Sequence, residues 1–349
     1  MEDKTETTPI SQLGEFGLID RLTENITLSN ESTVKGIGDD AAVIDNTDFH
    51  TLISKDLLVE GIHFDMMYTP LKHLGYKAAV VNFSDIYAMN GTPRQLLAGI
   101  ALSSRFPLEA IEEIYEGLRM ACEKYQVDLV GGDTTSSRAG LFISITVVGQ
   151  AKKEGITYRS GASVNDLICV SGDLGAAYMG LLLLEREKAV FKANPDMQPD
   201  LKGNDYILER QLKPEARRDI IEKLAEAGIK PTSMIDISDG LASELLHLSK
   251  ASKLGCRIYE DKIPMHPETL RIAEEFKIVP AVAALNGGED YELLFTISQA
   301  DYEKMGQIPG IAVIGHTTDQ LNETVMITND NQIIPLKAQG WDGLREQNS

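Results

Sequence analysis

Six short stretches of the chain place acidic residues beside glycine, serine or asparagine and next to apolar segments. They are residues 36–43, 54–56, 82–85, 131–134, 236–240 and 287–292. Adjacent carboxylates, such as those of Asp39 and Asp40, repel each other unless water or a cation separates their charges. Glycines beside them allow a ligand to approach the backbone closely. The pattern therefore predicts a cleft in which carboxylates from distant parts of the chain share bound cations.

Most of these aspartates also have a simpler interpretation, because aspartate is common in turns and helix caps. Asp133 follows two glycines and could end a strand, and Asp239 precedes Gly240 and could cap the next helix. Asp85 differs, because it lies inside a predicted helix rich in alanine and valine, residues 71–89, where capping cannot explain it. Crowded carboxylates suit Mg²⁺, especially when substrate phosphates complete its coordination. The candidate acids are Asp40, Asp56, Asp85, Asp133, Asp236 and Asp239.

The bulk composition limits the classes of function. With 349 residues, of which 43% are hydrophobic, the chain is long enough for roughly two domains with their own cores. The formal net charge of −20 and the lack of a basic stripe exclude a nucleic-acid partner. An enzyme this acidic needs bridging cations if it binds anionic substrates.

Cysteine usage and hydropathy indicate a cytoplasmic protein with no membrane partner. Cys122, Cys169 and Cys256 are far apart and show no CxxC spacing, which fits a reducing compartment and argues against a zinc site. The polar, acidic first residues do not resemble a signal peptide. The longest apolar run, residues 174–184, is too short to cross a bilayer.

Predicted strands and helices alternate unevenly along both halves, which indicates an α/β (α+β) protein with mixed sheets flanked by helices. We expect a flexible tail over residues 1–11, a first domain over residues 12–150 and a second α/β domain over residues 151–345. A polar composition shift just after residue 150 places that boundary. Within the halves, a strand is predicted to end at Val130, and a helix is predicted over residues 214–227.

Seven stretches, in order, resemble the thiamine-monophosphate kinase family, and the resemblance covers about residues 14–344. They are residues 36–42, 54–64, 82–91, 129–135, 157–162, 235–241 and 287–293. The wider superfamily, which shares an ATP-binding fold, includes aminoimidazole ribonucleotide synthetase and selenophosphate synthetase. The histidine and phenylalanine at the end of the second stretch and the late acidic stretch point to the thiamine branch.

The resemblance implies roles for individual residues. The six candidate aspartates would be magnesium ligands, with Ser54 helping. Lys55 stands where the family usually has threonine, and a charged lysine cannot coordinate a metal, so any contact there would come from its backbone carbonyl. The implied ATP contacts are Tyr115, Gly132, Asp133, Arg159 and Ser238, and the implied substrate contacts are His63, Glu289 and Trp341.

The implied substrate contacts and Arg159 also have purely structural interpretations. His63 lies between Ile62 and Phe64 and could be a packed structural histidine. Arg159 could be a surface arginine, and as a functional residue it would pair with phosphate oxygens. Trp341 could cover a core edge, and as a functional residue it would stack on a cationic ring.

The implied activity is transfer of the γ-phosphate of ATP to the phosphate of thiamine monophosphate, giving thiamine diphosphate. Several Mg²⁺ ions would serve as cofactors, and a homodimer would form through the N-terminal sheets. No dedicated catalytic base is expected, because the acceptor, a phosphate monoester with a second pKa of ~6, is already an anion. The main obstacle to the transfer is repulsion between two polyanionic substrates, and bound cations would neutralise part of their charge.

Two alternatives stay open at this point. The first is another ATP-using member of the superfamily with a different acceptor. A selenophosphate synthetase would be expected to have a reactive cysteine near its N-terminus, and residues 1–30 contain no cysteine. The second is an acidic cation-binding protein without catalysis, against which the absence of EF-hand spacing counts.

Overall fold

A computed structural model describes Gly17 and residues 31–103, 106–321 and 323–338. The first of its two sheets has six strands in the order β1-β2-β3-β6-β4-β5. These strands are β1 (Thr33–Lys35), β2 (Ala42–Asp45), β3 (His50–Val59), β4 (Thr92–Leu102), β5 (Asp128–Ser136) and β6 (Phe142–Ala151). The sheet is mixed, because β4 and β5 run parallel while the other neighbours are antiparallel.

Two helices pack on one face of this sheet, α1 (Leu71–Ala88) and α2 (Leu108–Tyr125). Alternate residues of β6, such as Ile143, Ile145 and Val147, are buried in the core that these helices share. Helix α1 confirms the helix predicted from residue 71. It is buried around almost its whole circumference, so its polar side chains must find partners inside the protein.

The opposite face of the first sheet carries exposed side chains. Leu57 on β3 and Leu97 on β4 are 55% and 39% exposed. Register places Lys55 and Leu97 opposite the same residue of β6, so their side chains share this face. An exposed apolar patch on a sheet is a feature of protein–protein contacts.

The second sheet has seven strands in the order β13-β12-β9-β11-β7-β10-β8. They are β7 (Leu167–Ser171), β8 (Ser233–Asp236), β9 (Gly255–Tyr259), β10 (Leu293–Ile297), β11 (Ile311–Thr318), β12 (Thr324–Ile327) and β13 (Ile333–Pro335). Its helices are α3 (Ala176–Ala193), α4 (Asp205–Leu212), α5 (Arg218–Glu226), α6 (Leu241–Ser252), α7 (Pro267–Glu275), α8 (Pro280–Asn286) and α9 (Tyr302–Met305). This sheet is mixed as well, since β12 and β9 are parallel. The predicted fold class of two mixed sheets flanked by helices is confirmed.

Two local predictions were wrong. Strand β5 does not end at Val130 but continues through the double glycine to Ser136, paired with β4. A Cβ at Gly132 would overlap the carbonyl of Ala98, so glycine permits this close pairing. The helix expected from residue 214 begins only at Arg218. The backbone just before it is held instead by the hydroxyl of Tyr125, which accepts a hydrogen bond from the N–H of Ala216 at 2.9 Å.

Glu215 ties the second half of the chain to the helices of the first. Its Oε2 accepts hydrogen bonds from the hydroxyls of Tyr76 and Tyr125, each at 2.7 Å, and its Oε1 lies 2.6 Å from the ammonium of Lys124. A half-buried acid with three donors holds its neighbours in a fixed geometry. The two sheets therefore have a defined relationship around the cleft between them. Within the described residues, no helix is both long and apolar enough to span a membrane.

Candidate active site

Three of the predicted acids come together from three separate parts of the fold. Asp40 lies between β1 and β2, Asp85 lies in α1, and Asp236 is the last residue of β8. Each offers a carboxylate oxygen, and these oxygens lie within 4.8 Å of one another. The cleft between the two sheets thus holds a cluster of acids contributed by both halves of the chain.

Strand β3 and helix α1 position the middle of this cluster through polar contacts. Ser54 donates a hydrogen bond to Oδ2 of Asp85, and the N–H of Asp56 donates to Oδ1 of Asn82 at 3.1 Å. Alternation along β3 directs Ser54 and Asp56 toward α1. The same alternation directs the Lys55 side chain to the opposite, exposed face, where its ammonium donates to Ser144. Only the backbone of Lys55 remains available to the cluster.

Burial and mutual repulsion raise the pKa values of these acids. Burial, followed by the charges of Asp56, Asp236 and Asp40, raises the pKa of Asp85 well above its ordinary value. Burial and then the charge of Asp40 raise the pKa of Asp236 to about 8. Burial raises the pKa of Asp56 to about 6. Carboxylates in this state must take up protons or a cation.

The oxygen donors of the cluster are compatible with a divalent cation. These donors are hard carboxylate and hydroxyl oxygens from rigid elements, the set that Mg²⁺ prefers. A bound cation would offset both the burial and the mutual repulsion that raise the pKa values of Asp85 and Asp236. The chemistry of the donor set thus agrees with the magnesium site predicted from the sequence.

Arg159 supplies a positive charge inside the cleft. Its Nη2 lies 2.9 Å from Oδ1 of Asp40, and its Nε lies 3.2 Å from Oδ2, so the contact is bidentate. Its backbone N–H also donates to Oδ1 of Asp39 at 3.2 Å. Burial and the neighbouring Asp40 raise the pKa of Asp39 to about 6. Arg159 is therefore an internal partner of the acidic loop and not an ordinary surface arginine.

Ser238 and Asp239 lie in the loop between β8 and α6, and their support is a residue that sequence reasoning missed. The N–H of Asp239 donates to Oε1 of Glu244 at 3.0 Å. Glu244 is 2% exposed, and its Oε2 is buried without a hydrogen-bond partner among the described residues. Burial and the charge of Asp239 raise the pKa of Glu244 well above its ordinary value. An acid in the first turn of a helix is an ordinary sequence feature, so nothing marked it in advance.

Asp133, like Asp56 and Asp239, is not one of the three clustered carboxylates. It is exposed on the edge strand β5, where it lines a groove of about 450 Å³ together with Tyr115 and Gly132. Three of the predicted ATP contacts thus share one groove. Asp133 lies on that groove because β5 continues past the double glycine.

Two of the predicted substrate contacts, His63 and Glu289, lie near each other. Burial lowers the pKa of His63, while the nearby charges of Glu289 and Lys77 act on it in opposite directions. Nδ1 of His63 accepts a hydrogen bond from the N–H of Val59 at 3.1 Å, so a neutral ring carries its hydrogen on Nε2. Trp341 lies outside the described residues.

Glu289 has two partners that the sequence interpretation did not name. Its Oε1 lies 2.9 Å from the ammonium of Lys77, and its Oε2 accepts a hydrogen bond from Nε2 of Gln211 at 2.8 Å. Lys77 lies in the same apolar helix as Asp85. Like Asp85, it is a charged residue in an apolar helix and therefore needs a partner inside the protein.

The loop that carries Glu289 is held in a strained conformation against the Asp236 loop. Glu289 and Tyr291 have φ angles of 58° and 51°, in the left-handed region. The N–H of Glu289 donates to the carbonyl of Ser238 at 2.6 Å, and that of Tyr291 donates to Ile237 at 2.8 Å. Such backbone persists where its surroundings fix it, often at functional sites. These contacts join the Glu289 side of the cleft to the carboxylate cluster.

The chain also matches known proteins along almost its whole length. Residues 38–151 match the family model "AIR synthase related protein, N-terminal domain". The thiamine-monophosphate kinase of Bacillus subtilis (strain 168) is 34% identical over 337 residues, which cover 95% of this chain and 99% of that protein. The thiamine-monophosphate kinase of Aquifex aeolicus (strain VF5) is 35% identical, over 82% of this chain and 87% of that protein.

A solved structure has the same architecture. The structure "AaThiL complexed with AMPPCP and TMP" superposes with a TM-score of 0.82 at 30% identity, covering 97% of this chain and 100% of that one. The fold, the acidic cluster and the extent of these similarities agree with one another. The chain belongs to the thiamine-monophosphate kinase family.

Proposed function

We propose that this enzyme transfers the γ-phosphoryl group of ATP directly to the phosphate of thiamine monophosphate. The single observation that carries the proposal is the convergence of Asp40, Asp85 and Asp236, whose carboxylate oxygens come from both halves of the chain to within 4.8 Å of one another. Direct transfer between two phosphates needs positioning and charge neutralisation more than proton transfer. The similar structure that contains AMPPCP and TMP supports this choice of substrates.

The residues that would hold Mg²⁺ line the inner wall of the cleft. They are Asp40, Ser54, Asp56, Asp85, Asp236 and Asp239, with the Lys55 carbonyl and, from the groove on β5, Asp133. When bound, Mg²⁺ would neutralise phosphate charge and align donor with acceptor. The chain contributes rigidity, since its acids lie on a strand end, a buried helix and two braced loops.

ATP would occupy the groove beside β5, with Tyr115, Gly132 and Asp133 as its walls. Gly132 lets the nucleotide approach the backbone of the edge strand. Ser238 and Arg159 would meet the phosphates from the other half of the chain. Arg159 already has its guanidinium in a bidentate geometry, and phosphate oxygens accept the same two-pronged contact as a carboxylate.

The acceptor would bind on the side of the cleft formed by His63 and Glu289. Its phosphate is already ionised near neutral pH, so the transfer needs no dedicated base. Trp341 is proposed to stack on the cationic ring of thiamine, on the strength of the family resemblance alone.

We propose a homodimer that forms through the exposed face of the first sheet, which carries Leu57 and Leu97. We also propose a division into domains at residues 12–150 and 151–345, with the boundary at Ala151, the last residue of β6 and of the first sheet. The cytoplasmic location rests on the three cysteines, all of them buried free thiols.

The deciding experiment is a coupled ADP-release assay with and without thiamine monophosphate. We expect ADP release that depends on both thiamine monophosphate and Mg²⁺, with one thiamine diphosphate formed per ADP. Thiamine and an unrelated phosphate monoester serve as control acceptors. ADP release that thiamine monophosphate does not stimulate would overturn the proposal, and stimulation by the unrelated monoester would favour the other superfamily activities.

A further inference from the structure

Lys77 is a buried lysine on the wall of the cleft. Its side chain is only 5% exposed, and lysine is rarely buried to this degree unless it is paired. Its ammonium lies 2.9 Å from Oε1 of Glu289 and donates to the main-chain carbonyl of Gln211 at 3.0 Å. The amide of Gln211 then donates to the other oxygen of Glu289. Lys77 and Gln211 therefore each contact one oxygen of the Glu289 carboxylate.

Glu289 itself remains accessible. Its side chain is 28% exposed, in contrast to the 5% of Lys77. A carboxylate oxygen can accept two hydrogen bonds, so each oxygen of Glu289 retains capacity for a ligand donor. The left-handed backbone at Glu289 is a second sign that this side chain is deliberately oriented. The exposed part of the cluster is thus a hydrogen-bond acceptor, the Glu289 carboxyl group, and the buried part, Lys77, supports it.

Helix α1 also sets the distance between this cluster and the acids that hold the phosphates. Lys77 precedes Asp85 by eight residues, which corresponds to about 12 Å along the helix axis. Such a separation suits an acceptor whose ring and phosphate lie at opposite ends of an extended molecule. His63 lies beside the same carboxylate and offers Nε2–H as a donor.

We propose that Lys77 is a positioning residue for the acceptor: it holds the Glu289 carboxylate in a fixed orientation, so that Glu289 accepts hydrogen bonds from the N–H groups of a heteroaromatic amine. In the proposed reaction that group is the aminopyrimidine of thiamine monophosphate, so this inference rests on the proposed function. Lys77 does not touch the acceptor, because its ammonium is enclosed by Glu289 and Gln211. It acts on the specificity for the acceptor and not on the transfer step.

The test compares Lys77→Met, Lys77→Arg, Glu289→Gln and the double variant Lys77→Met/Glu289→Gln. For Lys77→Met we expect the KM for thiamine monophosphate to rise about tenfold or more, the scale of losing a charged hydrogen-bond partner. The KM for ATP and kcat should change little. Lys77→Arg should recover much of the loss. The double variant should have a KM no higher than that of Glu289→Gln alone, because Lys77 acts through Glu289.

Lys72→Met is the matched control, since Lys72 lies on the same helix, is 45% exposed and pairs with the surface residue Glu116. It should leave both KM values unchanged. If Lys77→Met does not fold, the double variant still decides, because removing both charges leaves no buried unpaired ion.

Three results would overturn the inference. One is an unchanged KM for thiamine monophosphate in Lys77→Met. Another is a parallel loss in both KM values and kcat, which indicates a purely structural role. The third is a double variant with a KM well above that of Glu289→Gln. A wild-type enzyme without activity on thiamine monophosphate would instead overturn the proposed function itself.

Discussion

Arg159 and Asp40 form a bidentate ion pair in the middle of the proposed magnesium and ATP site, with Nη2 2.9 Å from Oδ1. The side chain of Asp40 is 1% exposed and that of Arg159 is 23% exposed. One residue was predicted to bind a cation and the other to bind phosphate, yet here each is the other's partner. In the proposed reaction, binding of substrates would exchange this internal pair for Mg²⁺ on Asp40 and phosphate oxygens on Arg159.

Replacing the arginine should separate these two roles. In Arg159→Met, Mg²⁺ should bind more tightly in the absence of nucleotide, by about 3- to 10-fold, because Asp40 loses a competing cation. The KM for ATP should rise about tenfold, because a charged contact to phosphate is lost. Isothermal titration calorimetry with Mg²⁺ and initial rates over an ATP series measure the two effects.

Arg119→Met is the control, since Arg119 is 62% exposed and pairs with Glu116 on the surface of α2. It should behave as the wild type in both measurements. Weaker binding of Mg²⁺ alone to Arg159→Met would show that the arginine supports the cation site and does not compete with it.

Asp85 should be needed for turnover but not for folding. Asp85→Asn should lose activity by about 100-fold or more, the scale expected when charge stabilisation of the transition state is removed. Its melting temperature in EDTA should equal or exceed that of the wild type, because the variant lacks a carboxylate that burial and three neighbours disfavour. The coupled assay and differential scanning fluorimetry give both values.

Asp128→Asn offers a comparison at an exposed aspartate, at the start of β5, and should retain full activity. If Asp85→Asn turns over like the wild type, Asp85 does not belong to the set of metal ligands.

The stability of the magnesium-free protein should fall as pH rises. The pKa values of Asp56 and Asp236 in the folded protein are about 6 and about 8, above the value of 3.8 for the free side chain. The folded state then binds more protons than the unfolded state between pH 4 and pH 8, so the free energy of unfolding decreases across that window. Below pH 4 the contribution of both groups is fully present.

Melting curves in EDTA from pH 5 to pH 9 measure this effect. Added Mg²⁺ should raise the melting temperature more at pH 8 than at pH 6, because fewer protons compete with it. A stabilisation by Mg²⁺ that is the same at both pH values would contradict the raised pKa values.

Some residues of the proposed site could be predicted from the sequence, and others could not. The acidic stretches and the apolar pattern of α1 were enough to select Asp85, since no capping role exists inside a helix. Lys77 carries the same signal in the same helix but becomes meaningful only when Glu289, more than 200 residues later, lies beside it. The position of Asp133 depends on strand β5, which continues through two glycines. Because glycine is depleted in strands, the sequence predicted that this strand ends before them.

The negative charge of Glu244 should strengthen Mg²⁺ binding at the neighbouring loop that carries Asp239. Glu244→Gln retains an oxygen that can accept the N–H of Asp239 but removes a buried negative charge. The magnesium-free protein should therefore be more stable at pH 8, and its affinity for Mg²⁺ should fall several-fold. Glu226→Gln, at the end of α5, is a control for loss of one exposed acid. An unchanged Mg²⁺ affinity in Glu244→Gln would leave Glu244 only its contact with the Asp239 backbone.

The exposed face of the first sheet should hold two copies of the chain together. Leu57 and Leu97 lie on this face. A two-fold symmetric interface would bury both leucines on each of the two protomers. Light scattering after size exclusion should give a dimer for the wild type. The variant Leu57→Glu/Leu97→Glu should be monomeric at micromolar concentrations, because four new charges in one dimer interface would have to lose their water. Leu270→Glu, at a 41% exposed leucine of α7, should remain dimeric. A dimeric Leu57→Glu/Leu97→Glu variant would place the interface elsewhere.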